Sequence, residues 1–374
     1  MKFIASSGEL LSHLLIISRV INNKNSLPIL NDFLFTVKGN TLEMTASDLE
    51  TTIVTSMNIE QVQGNGSISI RAGLLINTLK EFPEQPLTFD VNLENLSIAI
   101  ETETGHYDFN GDSAMQFPDT PTPAENNNTL TIPAESLMTC IEKTSFATAT
   151  EDSRPIVTGI HFDASENGLV AVSTDGHKLS KITYPSVSAS SNCSFTLPKK
   201  PTALLKTMLV KEEGDVDIQF DDKNIFFNSI NYRLICKQIV GTYPNYNSVI
   251  PQNNENKVIV KKNEFISVLR RVSVYASQAT SLVRLSIKEN HMTISARDVD
   301  YANSAEENFS CQYEGPEINI GFKSPFLTEM LGYIDTEEVE IALQDNTKAA
   351  LLFPFNASED QNFESLMLIM PIMI

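Results

Sequence analysis

One pattern of residues occurs three times along this 374-residue chain. Each occurrence begins with a short extended run and a polar break, and continues as an amphipathic helix. In the first occurrence Leu10, Leu14 and Ile17 recur at the i, i+4, i+7 spacing of one helix face. The matching positions Leu10, Leu137 and Phe265 are separated by 127 and 128 residues. A period of this length is far longer than a solenoid repeat and is typical of whole domains.

A hairpin pattern follows each of these helices. Apolar and polar residues alternate on both sides of a turn that carries Gly or Asn, as in the segment from Phe33 to Asp48. Each hairpin segment ends in an aspartate, and the three aspartates are Asp48, Asp175 and Asp298. A second helix and a second hairpin then complete each copy, so that every copy consists of two similar halves.

The sequence therefore predicts an α+β protein of three repeated domains, each with two helices on antiparallel sheets. The breaks between copies fall in two segments rich in Pro and Asn, at 121–128 and 251–257. We place the domains at residues 1–125, 126–252 and 253–374.

The segment from Ser173 to Ser180, STDGHKLS, invites a catalytic interpretation. Asp175 could orient His177 and Ser173 could be a nucleophile, which makes a hydrolase one hypothesis. The triplication favours a structural corner instead, because Asp caps its own backbone in a turn and Gly accepts a positive φ. Only the GHKL part, Gly176 to Leu179, is specific to the second copy.

The composition limits the other classes of function. The four cysteines are far apart and form no zinc or disulfide pattern, so we expect no metal, no cofactor and a reduced, cytoplasmic location. No apolar run predicts a signal peptide or a membrane helix. The chain has a net charge of −20, yet its predicted helical segments are net basic, so the strands and loops carry the acidity. A basic helical face could contact nucleic acid while the acidic remainder repels it.

The chain resembles the family of bacterial DNA polymerase III β subunits, the sliding clamps. The resemblance covers the full length. It includes LPILNDFLF (27–35), RPIVTGIHF (154–162), STDGHKLS, GTYPNYNSVIP (241–251), IGFKSPFL (320–327) and the final LMLIMPIMI.

The resemblance implies a head-to-tail homodimeric ring of the DNA-clamp fold, with helices lining a hole through which duplex DNA passes independently of its sequence. Such a ring is a processivity factor without catalysis. Its implied partners are the polymerase III catalytic subunit, the clamp loader and other proteins with short clamp-binding peptides, and no membrane. A hydrolase using Asp175 and His177 and a monomeric DNA-binding scaffold remain the alternatives.

The resemblance also implies three sets of site residues. The partner-peptide pocket would comprise Val157, Thr174, Gly176, His177, Lys178, Leu179, Pro244, Ser248, Val249, Ala349, Leu368, Met370, Pro371 and Ile372. The dimer interface would include Tyr107, Val274 and Tyr275. The helix cations expected to face DNA are Lys24, Arg71, Lys199, Lys200, Lys206, Lys261, Lys262, Arg270 and Arg271.

The chain departs from the family pattern at a few of these places. Met373 stands where an Arg is common, Ser248 where a basic residue is common, and Pro155 and Ile156 where aromatic residues often follow Arg154. We expect a more apolar pocket with an altered peptide preference. In the tail, Pro371 cannot donate to a strand ladder, so the last strand should end near Ile369 and leave Met370, Ile372 and Met373 beside Leu179 and Val249.

Overall fold

A computed structural model describes residues 1–22, 27–150, 154–210, 212–357 and 362–374. Along these residues it has six α-helices, and they confirm the two predicted helices per copy. The helices are Ser7–Ile17 (α1), Ala72–Lys80 (α2), Ala134–Thr144 (α3), Lys199–Leu209 (α4), Lys262–Ser273 (α5) and Ser324–Gly332 (α6). Leu10, Leu14 and Ile17 form the buried face of α1, and the Ser6 hydroxyl caps it by accepting from Glu9 N at 3.1 Å.

The strands follow the same repetition. The first copy contributes Lys2–Ser6 (β1), Asp32–Lys38 (β2), Thr41–Ser47 (β3), Thr51–Asn58 (β4), Glu60–Gln63 (β5), Gly66–Arg71 (β6), Pro86–Asn92 (β7), Ser97–Glu101 (β8) and His106–Asn110 (β9). The second contributes Asn128–Pro133 (β10), Ile160–Ser165 (β11), Gly168–Thr174 (β12), Lys178–Tyr184 (β13), Cys193–Leu197 (β14), Asp215–Phe220 (β15), Asn224–Asn228 (β16) and Tyr232–Lys237 (β17). The third contributes Asn256–Lys261 (β18), Leu282–Lys288 (β19), His291–Asp298 (β20), Asn303–Ser310 (β21), Ile318–Lys323 (β22), Glu338–Leu343 (β23), Ala350–Phe355 (β24) and Glu364–Ile369 (β25).

The described residues form two compact units. The first comprises residues 1–139 and 197–240, and the second comprises 140–196 and 241–374. The first unit contains a five-stranded sheet of order β5-β1-β7-β8-β9 and an eight-stranded sheet of order β10-β15-β16-β17-β4-β3-β2-β6. The second contains an eight-stranded sheet of order β14-β11-β12-β13-β25-β24-β23-β18 and a four-stranded sheet of order β21-β20-β19-β22.

Each eight-stranded sheet is made from halves of two consecutive copies. Four strands of the first copy continue into the second copy through antiparallel pairing of β4 with β17, where Thr51 lies opposite Cys236. Four strands of the second copy continue into the third through β13 and β25, where Lys178 lies opposite Ile369. Consecutive copies therefore share a sheet, because the strands at each junction between copies are joined by backbone hydrogen bonds.

The three aspartates of the repeat make the same turn. In each, one carboxylate oxygen accepts the backbone N–H groups two and three residues later. Asp48 accepts from Glu50 and Thr51, Asp175 from His177 and Lys178, and Asp298 from Asp300 and Tyr301. These are Asx-type turns, as the triplication predicted. We call the segments 48–51, 175–178 and 298–303 the Asp corners.

Asp32 is a buried carboxyl group at the start of β2. It is 2% exposed, and its Oδ2 atom has no hydrogen-bond partner among the described residues. Burial and, to a smaller extent, the neighbouring Asp112 raise the pKa of Asp32, Arg71 opposes them, and the net result is a pKa of about 6. Because the folded-state pKa lies above the unfolded value, this group stabilises the fold at low pH, and that contribution is lost as the pH rises through 6.

The Asp32→Asn variant tests this assignment. The amide carries no charge. The free energy of unfolding should therefore decrease less between pH 5 and pH 8 in the variant than in the parent. Urea midpoints at a series of pH values measure the difference. Parallel curves for the two proteins would show that Asp32 titrates as it does in the unfolded chain.

Candidate functional site

The STDGHKLS segment forms a turn in which the side chains of Ser173 and Asp175 are hydrogen-bonded to the backbone. Ser173 is fully buried, and its hydroxyl donates to the carbonyl of Thr144. Asp175 Oδ1 accepts the backbone N–H groups of His177 and Lys178, both at 2.9 Å. Gly176 has φ +86°, and a Cβ placed there would meet no atom within 4 Å. Position 176 thus requires a residue that tolerates a positive φ, and the space next to its Cα atom is open.

No nucleophile and base pair up in this segment as the structure describes it. The His177 side chain is exposed, and its ring centroid lies 6.0 Å from that of Phe326. Asp175 binds the backbone of His177 rather than its imidazole. A hydrolytic triad needs a hydroxyl within hydrogen-bond reach of the base, and the Ser173 hydroxyl serves the backbone instead. The geometry does not favour the hydrolase hypothesis.

An apolar cluster lies beside the corner, in the second unit. Leu179 of β13 lies opposite Leu368 of β25, and Leu368 lies opposite Leu351 of β24. The buried members of the cluster are Val157, Val172, Leu179, Tyr243, Tyr246, Ala342, Ala349, Leu351 and Leu368. Four of the residues expected in the peptide pocket, namely Val157, Leu179, Ala349 and Leu368, belong to it.

Four more of the expected residues lie on the 241–251 loop or at the Asp corner of the second copy. Tyr246–Val249 form a short helical turn, in which Val249 is 54% exposed and the Ser248 hydroxyl donates to Asn245 O at 2.7 Å. Pro244 is exposed on the same loop. Thr174 is half-buried, and its hydroxyl bridges the corner by donating to Lys178 O at 2.8 Å and accepting from Gly176 N at 3.0 Å.

Lys178 differs from the other expected pocket residues in where its side chain lies. Successive residues of a strand point to opposite faces, so Lys178 and Leu179 cannot line the same surface. The Lys178 ammonium is buried, pairs with Glu329 of α6, and lies 5.4 Å and 5.0 Å from the ring centroids of Phe146 and Phe326. The side chain of Lys178 therefore packs against α6, on the opposite face of β13 from Leu179.

A cavity of about 490 Å³ opens next to the corner. Val157 and His177 from the expected set line it. The other lining residues are Ala149, Thr150, Arg154, Asp175, Lys323 and Phe326. Arg154 and Lys323 give this cavity more positive than negative side chains, so an acidic or carbonyl-rich segment would fit it better than a basic one.

The C-terminal tail leaves the sheet as expected and then finds another neighbour. Strand β25 ends at Ile369, and Met370 N donates to His177 O at 2.9 Å. Ile372 N then donates to Gly321 O of β22 at 2.8 Å. A Cβ on Gly321 would lie 2.6 Å from Ile374 Cγ2, so only glycine accepts the tail there. Ile372 is thus fastened to β22, whereas we expected it beside Leu179; Met370 and Met373 are exposed.

Several neighbours of the pocket were missed by sequence reasoning. Tyr243 stacks on His161 with centroids 4.4 Å apart, and its hydroxyl is buried without a partner among the described residues. Burial lowers the pKa of His161 to about 4, which keeps its ring neutral. The Tyr246 hydroxyl donates to Asp163 at 3.1 Å. The aromatic residues of the 241–251 loop were the available signal, but a loop pattern does not say which strand the rings cover.

The cations expected to face DNA differ in how far they are already paired. Lys200 donates to Val20 O at 2.9 Å and pairs with Asp48, and Lys262 donates to Ile334 O at 2.6 Å. Lys261 lies 3.4 Å from Glu264. Arg271 holds Glu307 through two bonds of 2.9 Å and 2.7 Å, which lowers the pKa of Glu307.

The other expected cations lie on exposed positions. Lys199 and Lys206 are exposed on α4, Arg270 on α5, and Arg71 immediately before α2. Arg270 lines a cavity between α5 and α6 with Ser273, Thr328 and Glu329. Lys24 lies outside the described residues.

The residues expected at a dimer interface are exposed. Tyr107 lies on β9, an edge strand of the five-stranded sheet, and is 41% exposed with its ring 5.0 Å from that of Phe82. Val274 and Tyr275 directly follow α5 and are 77% and 45% exposed. Strand β21 is an edge strand of the four-stranded sheet.

The described residues contain no group of three or more His, Cys, Asp or Glu side chains placed to hold a metal ion. None of the helices in the described ranges is long and apolar enough to cross a membrane.

Comparison with protein-family models gives three consecutive matches. The N-terminal domain of the DNA polymerase III beta subunit matches residues 1–121, the central domain residues 131–245, and the C-terminal domain residues 247–372.

Individual proteins are similar over the whole length. A beta sliding clamp of Pseudomonas putida is 28% identical, covering 100% of both chains, and one of Synechococcus elongatus is 29% identical, covering 95% of this chain and 96% of that one. The crystal structure of a DNA polymerase sliding clamp from Pseudomonas aeruginosa has a TM-score of 0.91 at 24% identity, covering 100% of both chains. The DNA polymerase III beta subunit from Thermotoga maritima has a TM-score of 0.87 at 25% identity, covering 100% of this chain and 99% of that one.

Proposed function

Since this chain belongs to the DNA polymerase III beta subunit family and functions as a DNA sliding clamp, we propose that two copies close head to tail into a ring around duplex DNA. The proposal of a ring rests on the two incomplete sheets of each chain. The eight-stranded sheets join half of one copy to half of the next, but β1-β7-β8-β9 and β21-β20-β19-β22 are half-sheets without such a continuation in the sheet orders of the described residues.

The two half-sheets are complementary. In the complete sheets, β4 pairs with β17 and β13 pairs with β25. By repetition, β21 corresponds to β4 and β13, and β9 corresponds to β17 and β25. Pairing β21 of one chain with β9 of a second would join β22-β19-β20-β21 to β9-β8-β7-β1 in the order of the complete sheets, with β5 as a ninth strand beyond β1. It would cover two edges whose unpaired backbone groups otherwise invite aggregation. The same contact made twice closes a ring.

We propose that the helices of this ring face the DNA. A ring holds its substrate by enclosure, so a weak and salt-sensitive basic lining is sufficient. Lys199 and Arg270 are the cations that support this assignment best, because they are exposed on α4 and α5. Lys200, Lys262 and Arg271 already have partners within the chain and would contribute less. The acidic strands and loops would discourage DNA from binding elsewhere.

We propose that the apolar cluster at Leu179 and Leu368, the adjoining cavity at His177 and the tail from Met370 form the docking site for short peptides. The polymerase III catalytic subunit and the clamp loader are the proposed sources of these peptides. Exposed Met370 and Met373 suit a surface that adapts to several sequences, because the thioether side chain is flexible and polarizable. Ser248 and Met373 remove positive charge that the family commonly has, so the proposed preference is for more apolar peptides.

The remaining assignments are proposed on the same basis. The protein acts without catalysis or a cofactor, in the cytoplasm, and its domains span residues 1–125, 126–252 and 253–374. The corner geometry supports the first of these, because Ser173 and Asp175 serve the backbone.

The ring is tested by the oligomeric state of Val274→Asp and Tyr275→Asp. Each places a charge at an exposed apolar position beside the proposed contact, and we expect monomers at micromolar concentration. Sedimentation velocity measures the mass. Val210→Asp is the matched control, because Val210 is 70% exposed at the end of α4 and should leave the dimer intact. Dimers in both interface variants would contradict this placement.

The docking site is tested by deleting Pro371 to Ile374. An apolar anchor in such a pocket contributes ~2 kcal/mol or more, so affinity for a fluorescent polymerase peptide should fall about thirtyfold or more. Melting temperature and dimer mass should stay close to those of the parent. His177→Ala should weaken binding of the same peptide. Unchanged peptide affinity in the truncated protein would place the site elsewhere.

The basic lining is tested by Lys199→Gln and Arg270→Gln. Each should weaken DNA binding equally for unrelated duplex sequences and reduce the slope of log affinity against log salt by about one. Lys288→Gln, which removes a strand cation paired with Glu317 at 3.5 Å, is the control and should change neither quantity. A changed base preference would instead indicate direct readout.

A further inference from the structure

A cation lies at the start of the second helix of every copy, at the same repeat position. Aligning the helices on their buried leucines and methionines places Arg71, Lys200 and Lys323 in equivalent positions. Arg71 and Lys323 come directly before α2 and α6, and Lys200 is the second residue of α4. The repeated positive charge leads us to compare what each of the three cations contacts.

Two of these cations lie at the Asp corner of the preceding copy. Lys200 of the second copy pairs with Asp48, the corner of the first copy. Lys323 of the third copy lines one cavity with Asp175 and His177 of the second-copy corner. In both corners Oδ1 of the aspartate accepts backbone N–H groups, and in the first corner Oδ2 receives the lysine. At the first corner the cation of the following copy pairs with the aspartate, and at the second it lines the same cavity as the aspartate.

The corner of the third copy has no following copy in its own chain. Asp298 Oδ1 accepts from Asp300 N at 3.0 Å and from Tyr301 N at 3.3 Å, as the other corners do. We propose that Arg71 of a second copy of this chain pairs with Asp298, which completes the series across the joint of the ring. This inference rests on the proposed head-to-tail dimer and moves Arg71 from the DNA-facing set to the interface.

The surroundings of Arg71 are compatible with an incoming carboxylate. Arg71 is exposed and lies opposite Asp32 in the pairing of β2 with β6. Its charge lowers the pKa of Asp32, which is itself buried. A guanidinium has five N–H donors in a planar fork, so Arg71 can serve Asp32 on one side and a second carboxylate on the other.

Exposed apolar side chains accompany the charges on both sides. The helix position that holds Phe326 in α6 holds Leu74 in α2, which is 45% exposed. In the second-copy corner, the His177 ring and the Lys178 ammonium pack on Phe326. The third corner is longer, because Asp298 pairs with Asn303, and it exposes Val299 and Tyr301 at 74% and 75%. These two side chains are placed to cover Leu74 of the second copy.

A double-mutant cycle on dimerisation tests the pair. Arg71→Gln and Asp298→Asn remove one charge each, and the amide can keep the corner, because Asn92 Oδ1 accepts Glu94 N and Asn95 N in a similar turn. Each single variant should raise the dimer dissociation constant about tenfold or more, as expected for a charge-assisted bond. The double variant should lose no more than either single variant, because the second change removes a partner that is already gone.

Two controls separate this pair from other effects. Lys200→Gln breaks the equivalent contact within the chain, so it should lower the melting temperature and leave the dimer dissociation constant unchanged. Tyr301→Ser should weaken the dimer without altering the corner.

The outcomes distinguish the pair from the ring itself. Unchanged dimer constants in both single variants, while Val274→Asp still gives monomers, would overturn the pair and leave the ring in place. Fully additive losses in the double variant would also overturn it. A parent chain that stays monomeric at every concentration would overturn the ring and the pair together.

Discussion

Antiparallel pairing between strands of consecutive copies is the interaction on which the rest of this structure depends. A copy of this repeat divides its strands between two sheets, and each sheet reaches full width only when a neighbouring copy supplies the other half. The ladders β4–β17 and β13–β25 thereby join the copies through backbone hydrogen bonds rather than through loops. The same rule leaves a half-sheet at each end of the series, and a second chain is the natural source of the missing strands.

The Asp corners connect this architecture to function. All three make the same backbone turn, which is a requirement of the fold and explains why the aspartate recurs. Their differences lie in what surrounds them. The first corner receives Lys200, the second carries Gly176 and His177 beside an apolar cluster and a cavity, and the third presents a longer loop with exposed Val299 and Tyr301. The same turn thus serves as a packing contact in the first copy, and we propose that it forms part of a docking surface in the second and of a joint between chains in the third.

The tail shows how the docking surface is bounded. Its apolar composition alone was compatible with burial or with a free binding edge. The structure divides it: residues up to Ile369 complete the sheet, Met370 bonds the corner at His177, and Ile372 is fastened to Gly321. A glycine is required at 321 because the tail occupies the space of a side chain. Beyond the sheet the tail is therefore held at two points, His177 and Gly321.

The sequence by itself determined the threefold repeat, the six helices, the hairpins and the Asp corners, because these depend on local periodicity and on turn chemistry. Its resemblance to a family also pointed to the surface around Leu179 and Leu368. Only the tertiary structure decided which strands of different copies pair, since half-sheets of the same pattern could join in several ways. It also decided that the side chain of Lys178 turns toward Glu329, and that Lys200, Lys262 and Arg271 have partners. Those outcomes depend on which face of a strand or helix packs against a segment that is far away in the sequence. The order of residue types along the chain does not specify such long-range contacts.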